Sequence, residues 1–128
     1  MSTLNVSNIT DGTTTVGTSY VVNGSAKMWC QWDNNGTFET KETFNTSSLT
    51  DTATGRTTIA ISSNMSNGDY SSQAQSCEPG SSSTLYVGNI DTQTASSIEM
   101  RGRDANSSSV DGLDDNTYNA VVSFGDLA

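Results

Sequence analysis

Gly24-Ser25-Ala26-Lys27-Met28-Trp29-Cys30-Gln31-Trp32-Asp33-Asn34-Asn35-Gly36-Thr37 holds both tryptophans and one of the two cysteines of this chain. In an extended chain successive side chains point to opposite faces. Over residues 26–33 that alternation puts Ala26, Met28, Cys30 and Trp32 on one face, and Lys27, Trp29, Gln31 and Asp33 on the other. The first set is apolar and is predicted to be buried. Asn34-Asn35-Gly36 then supplies residues that tolerate positive φ, so the chain is expected to reverse there into a second strand starting near Thr37. Ser, Thr, Asn and Asp dominate elsewhere, and a core has to be collected around this one strand.

A chain of 128 residues is expected to form one domain with a modest core. Hydrophobic content is 32%, and Ser, Thr, Asn and Gly favour turns and sheet surfaces over helix interiors. Low hydrophobicity with a net charge of -9 leans towards disorder, but regularly spaced apolar doublets oppose it. Nucleic acid is not an expected partner, because neutralising phosphates needs Lys and Arg and only five are present. Nor is a membrane: no apolar run approaches a spanning length, and the first residues lack the basic, apolar and small-residue order of an export signal.

From the N-terminus, residues 1–24 read as an N-terminal arm or first hairpin, and residues 25–128 as a β-sandwich domain. In the arm, strands are predicted at 4–9 and 19–22 around a turn at Asp11-Gly12. Leu4, Val6 and Ile9 are its candidate interface residues, suited to strand addition on a neighbouring molecule. Residues 38–44 carry Glu39, Lys41 and Glu42, as suits an edge strand whose charges discourage stray pairing. A hairpin is predicted from 49–52 and 57–62 around Thr54-Gly55, with Thr57, Ile59 and Ile61 inward. Asn67-Gly68 is the next turn, leading into a strand with Tyr70, Ser72, Ala74 and Ser76 on one face. Further strands are predicted at 84–87 (Leu85 and Val87 inward), 96–101 (Ile98 and Met100 inward) and 117–124. In the last, Tyr118, Ala120, Val122 and Phe124 are expected inward and Asn119, Val121 and Ser123 outward. Seven to nine short strands with frequent turns predict an all-β fold: an antiparallel β-sandwich or jelly-roll-like domain with an extended arm.

Several of these pieces carry a resemblance. They are Ser2-Thr3-Leu4-Asn5-Val6, Asn23-Gly24-Ser25-Ala26-Lys27-Met28-Trp29, Phe44-Asn45-Thr46-Ser47-Ser48-Leu49-Thr50-Asp51, Thr54-Gly55, Tyr70 and Val121-Val122-Ser123-Phe124-Gly125-Asp126. Together they resemble a domain of virion structural proteins of tailed bacteriophages, mainly marine ones, where it occurs in proteins called tail-fibre-like. Cys30 stands where Val is expected, Trp32 where Phe is usual, and Glu42 where the family tends to have Asp. The resemblance implies a virion protein assembled in the host cytoplasm and placed on the outside of the particle. Two placements stay open, capsid decoration (cement) protein and tail-fibre subunit, and small size leans to decoration. Expected partners are further copies, as a homotrimer, and the major capsid or tail proteins. The alternative is a carbohydrate-binding module for host attachment, with a host surface glycan as partner.

Chemistry is expected to be absent. There is no histidine, which removes the commonest general base and metal ligand. Paired carboxylates could cleave a glycosidic bond, but Asp91, Glu99, Asp104, Asp111, Asp114 and Asp115 show no setting that would raise a pKa for a general acid. No enzyme activity and no cofactor are therefore expected. Asp111, Asp114 and Asp115 are a weak calcium candidate in what otherwise reads as a solvated loop. Arg101 and Arg103 are expected to form a salt link to that loop. Cys30 and Cys77 fit no metal or redox spacing; a disulfide between them would contribute about 4 kcal/mol by closing the intervening loop, and two free thiols are the other reading. Trp29, beside Lys27 and Gln31, is the leading interface or ligand contact, because an aromatic among polar residues can anchor a partner or stack on a sugar.

Overall fold

The computed structural model describes residues 5–80, 85–107 and 111–128. The arm holds two short strands, β1 (Asn8–Thr10) and β2 (Thr15–Gly17), and a helix, α1 (Thr18–Gly24). Eight strands follow: β3 (Ala26–Asp33), β4 (Glu39–Phe44), β5 (Thr46–Ala53), β6 (Arg56–Ile61), β7 (Ser71–Cys77), β8 (Tyr86–Gln93), β9 (Ser97–Asp104) and β10 (Tyr118–Phe124). They form two antiparallel four-stranded sheets, ordered β4-β3-β10-β7 and β5-β6-β9-β8, which pack together as a β-sandwich.

The alternation read from β3 holds. Met28, Cys30 and Trp32 are buried and meet Ile59 and Ile61 of β6, Ile98 and Met100 of β9, Met65, Tyr70 and Val121. Three of these ten core residues are methionines, whose flexible thioethers fill irregular gaps where few branched side chains are available. The β5–β6 hairpin turns at Gly55 with φ 65°, and there the Gly55 N–H donates to Asp115 Oδ1 at 2.6 Å. The chain crosses from one sheet to the other at Asn45, with φ 54°. Its amide holds the crossing by donating to the carbonyls of Lys27 (2.9 Å) and Ser63 (3.0 Å) and accepting from Ser63 N (2.7 Å). At the opposite corner β8 lies directly against β7, and a Cβ on Gly88 would stand 2.7 Å from the Gln75 carbonyl carbon.

Residues 19–22, expected as a strand, are instead the middle of α1. Tyr and Val favour strands because they pack on a pleated surface. Here the neighbouring ribbon is three residues long and α1 buries nothing, so local bonds such as Ser25 N–H to the Val21 carbonyl satisfy the backbone. The expected turn at Asp11-Gly12 is present, with Asp11 Oδ1 accepting from Thr13 N and Thr14 N at 2.9 and 2.7 Å. Its strands are 8–10 and 15–17, not 4–9 and 19–22. Leu4 lies outside the described residues. The strand expected at 84–87 is Tyr86–Gln93, and Leu85, expected inward, is 63% exposed.

The largest correction concerns β10. Asn119, Val121 and Ser123 face the core, while Tyr118, Ala120, Val122 and Phe124 face outward, the reverse of the predicted phase. Buried polar groups are tolerated when bonded. Asn119 Nδ2 donates to Asn34 Oδ1 (2.7 Å) and to the Asn116 carbonyl (2.6 Å), and Ser76 Oγ donates to Asn119 Oδ1 at 2.8 Å. Ser123 and Ser72 share a hydroxyl bond of 2.8 Å. One end of the sandwich is therefore closed by an amide and hydroxyl network in place of hydrocarbon.

The disulfide reading is also corrected: Cys30 and Cys77 are free. β10 lies between their strands, since Cys30 is opposite Val121 and Cys77 is opposite Tyr118. Two strand spacings amount to about 9.5 Å, beyond the reach of a disulfide, and the three-residue offset along β10 turns the two side chains to opposite faces.

Candidate functional site

The two sheets present very different outer faces to solvent. On the β5-β6-β9-β8 sheet, Arg56 and Arg101 are directly opposite one another, an arrangement that repels unless carboxylates intervene. Glu99 accepts from Arg56 at 2.9 Å, and Asp91 pairs with Arg101. Arg101 is thus paired within the sheet and not with the acidic loop, a correction to the expected salt link. Arg103 does reach the loop, donating to the Asp111 carbonyl at 2.6 Å. This is a hydrated, ion-paired face.

The outer face of the β4-β3-β10-β7 sheet is neutral through its centre. Register places Phe44, Trp29, Val122 and Gln73 in one row across the four strands, and Glu42, Gln31, Ala120 and Gln75 in the next. Neither β7 nor β10 contains a charged residue. Trp29 is 38% exposed and stacks on Phe44, with ring centroids 6.4 Å apart and planes at 19°. Between Trp29, Gln31, Ala120, Val122 and the two glutamines of β7 lies an open depression of about 430 Å³, lined among the described residues by β3, β7 and β10 alone. Trp29 and Gln31 are therefore brought together as expected. Lys27 is turned aside: its ammonium donates to the Val22 carbonyl and, at 2.8 Å, to Ser25 Oγ, which fastens the end of α1 to β3.

The second unusual surface is the arm. Val6, Ile9, Val16, Tyr20, Val21 and Val22 are all exposed, Ile9 at 51% and Tyr20 at 77%. Val6 and Ile9 are the arm's expected interface residues, and Val16, Tyr20, Val21 and Val22, apolar residues of the same arm, are exposed with them. Sequence reasoning missed Val122 and Ala120 of the sheet face. The signal that could have found them is the spacing of Asn119 with Asn116 and Ser123 with Val121, legible only once buried amides are allowed as core.

Among the described residues no group of three Cys, Asp or Glu side chains is placed to hold a metal ion. Of the weak calcium candidates, Asp115 is committed to the Gly55 N–H and to Asn34 Nδ2 at 3.0 Å, and Asp111 meets Arg103 through its carbonyl. Burial, with the charges of Asp104, Asp115 and Glu78 nearby, raises the pKa of Asp114 above the ordinary carboxylate value. Glu78 is lowered, because Thr117 donates to it through both Oγ1 (2.7 Å) and N (2.8 Å). Burial pushes the Cys30 thiol up to about 12. No helix among the described residues is long and apolar enough to cross a membrane. Comparison with protein-family models, curated proteins and solved structures found no match.

Proposed function

We propose that the protein is a structural subunit on the outer surface of a tailed-phage virion, a small β-sandwich that docks through its N-terminal arm. The observation that carries this reading is the arm itself: a folded segment whose large apolar side chains, among the described residues, are left in water. Ile9 and Val16 are paired across the ribbon, and so many exposed apolar side chains in one short segment of a chain of net charge -9 mark a surface suited to being covered. The resemblance to virion structural domains supplies the setting. Capsid decoration and a tail-fibre position both accommodate a sandwich with a docking arm, and copy number per particle tells them apart. The reading is tested by releasing the protein from purified particles and adding it back. Wild type should rebind and Ile9→Asp/Tyr20→Asp should not; rebinding by both would overturn it.

A second reading is favoured by one feature, the Trp29 ring set beside Gln31, Gln73 and Gln75 in an uncharged depression. Flat aromatic surface with flanking amides is the chemistry that holds a neutral glycan. Trp29→Ala abolishing host adsorption, with particles assembled normally, would support it.

A further inference from the structure

We propose that the outer face of the β4-β3-β10-β7 sheet is the seat for the N-terminal arm of a second copy of this chain, so that copies join head to tail. The inference rests on the reading of the arm as a docking element and names what it docks to.

Charge is the first constraint. Copies carrying -9 repel one another, and contact is favourable only where both partners present surface free of acid. Two surfaces meet that condition. Between residues 5 and 25 the arm holds a single charged residue, Asp11, and its carboxylate is occupied by the N–H groups of Thr13 and Thr14 in its own turn. On the sheet, β7 and β10 are uncharged; the charges lie at one margin, where β4 carries Glu39, Lys41 and Glu42 and Asp33 ends β3. The other sheet's outer face, laced with Arg56, Arg101, Asp91 and Glu99, shows what this protein puts against water. The neutral face departs from that pattern, and so does the arm.

Geometry then selects a second copy over the chain's own arm. The Lys27 ammonium fastens the last turn of α1 at the start of β3, and among the described residues none from the arm lines the depression around Trp29, Val122 and Gln73. Among the described residues, each chain thus carries one open seat and one uncovered arm. A contact between unlike patches is heterologous, and it closes into a ring when the rotation between copies permits.

The test is sedimentation velocity on three full-length proteins across a concentration series: wild type, the face variant Gln31→Glu/Gln73→Glu and the arm variant Ile9→Asp/Tyr20→Asp. The face substitutions are isosteric and the arm residues are unburied, so circular dichroism should match wild type and thermal melts should match wild type diluted to monomer; if the face variant melts earlier than that, Trp29→Ala replaces it. Wild type should sediment as a closed oligomer and each variant alone as a monomer. An equimolar mixture of the two variants should form a two-chain complex, because the face variant still has its arm and the arm variant its seat. A monomeric wild type throughout the series, oligomers that survive either double substitution, or a mixture that stays monomeric would each overturn the proposal. A monomeric wild type that binds a neutral glycan through Trp29 would overturn it in favour of the glycan. If wild type is monomeric but rebinds stripped particles through its arm, this inference fails while the docking function stands.

Discussion

Replacing Asn119 with Ala is the substitution that most sharply separates the observed packing from the pattern expected of β10. Asn119 is 2% exposed, and its amide makes three bonds of 2.6 to 2.8 Å to Asn34, Asn116 and Ser76. Truncation orphans the Asn34 side-chain oxygen Oδ1 and removes one of two partners from the Asn116 backbone carbonyl, which keeps Asn34 N–H at 3.3 Å, and from the Ser76 hydroxyl, which still accepts from Asn116 Nδ2 at 2.8 Å. The network has little slack, since Asn116 Oδ1 already lacks a partner among the described residues. A buried polar group left unpaired costs about 1–3 kcal/mol, and the two lost bonds at Asn116 and Ser76 add to it, giving about 3 kcal/mol in total. Against a domain stability of about 5–15 kcal/mol this is a large fraction, and it lowers Tm by roughly 10 °C. Urea unfolding followed by the fluorescence of buried Trp32 measures it, with Val122→Ala as the comparison. Val122 is only half-buried on the outer face, so its truncation should cost about 1 kcal/mol. If Asn119→Ala changes stability by less than about 0.5 kcal/mol while Val122→Ala costs about 2–3 kcal/mol, the phase of β10 is the reverse of that described and the neutral outer face does not exist.

Three further outcomes follow from particular contacts. Gly88→Ala should destabilise by about 3 kcal/mol in the same urea assay, because its Cβ meets backbone atoms of Gln75 at 2.7 and 2.8 Å that no side-chain rotation can clear; an unchanged midpoint would refute the close approach of β8 to β7. In native protein at pH 8 a thiol reagent should modify half-buried Cys77 and spare Cys30 until unfolding. The Cys30 thiol is favoured neutral in the fold, so its contribution to stability is full below the ordinary value of 9.0 and is lost as pH rises towards about 12. Asp114→Asn should raise Tm at pH 7, where the wild-type carboxylate is ionised against burial and its acidic neighbours. Since the folded-state pKa of Asp114 is raised, the advantage should shrink as pH falls through the carboxylate range and both side chains become neutral; a gain independent of pH would rule out burial and like charge as its cause.

Much of the fold was legible because β3 states its own alternation and because Asn34-Asn35-Gly36, Thr54-Gly55 and Asn67-Gly68 mark turns by residue type. The β6 face of Thr57, Ile59 and Ile61 was legible for the same reason. β10 was not. In Tyr-Asn-Ala-Val-Val-Ser-Phe, apolar residues fall on one alternate set and polar ones mostly on the other, and hydrophobicity alone assigns the first set to the core. The opposite holds because Asn34, Ser72 and Ser76, distant in sequence, and nearby Asn116 converge on Asn119 and Ser123 and satisfy them. Beyond the spacing of Asn116 and Asn119, such pairing is a property of the folded network and leaves no local mark. The same misassignment hid the outer face, since Ala120 and Val122 could not be both core and surface. In the arm, Tyr20-Val21-Val22 carries strand propensity but no sheet to express it on, and the helix forms by default of a partner.

If the arm is the working surface of a virion subunit, as proposed, it is open in the dilute monomer and covered on assembly. Amide hydrogen exchange of residues 8–24, compared between protein diluted to monomer and intact particles, reads that difference residue by residue. Exchange should be fast in the monomer, where α1 buries nothing, and should slow by orders of magnitude on the particle, with β3 and β6 protected in both. Equal exchange of the arm in the two states would contradict it.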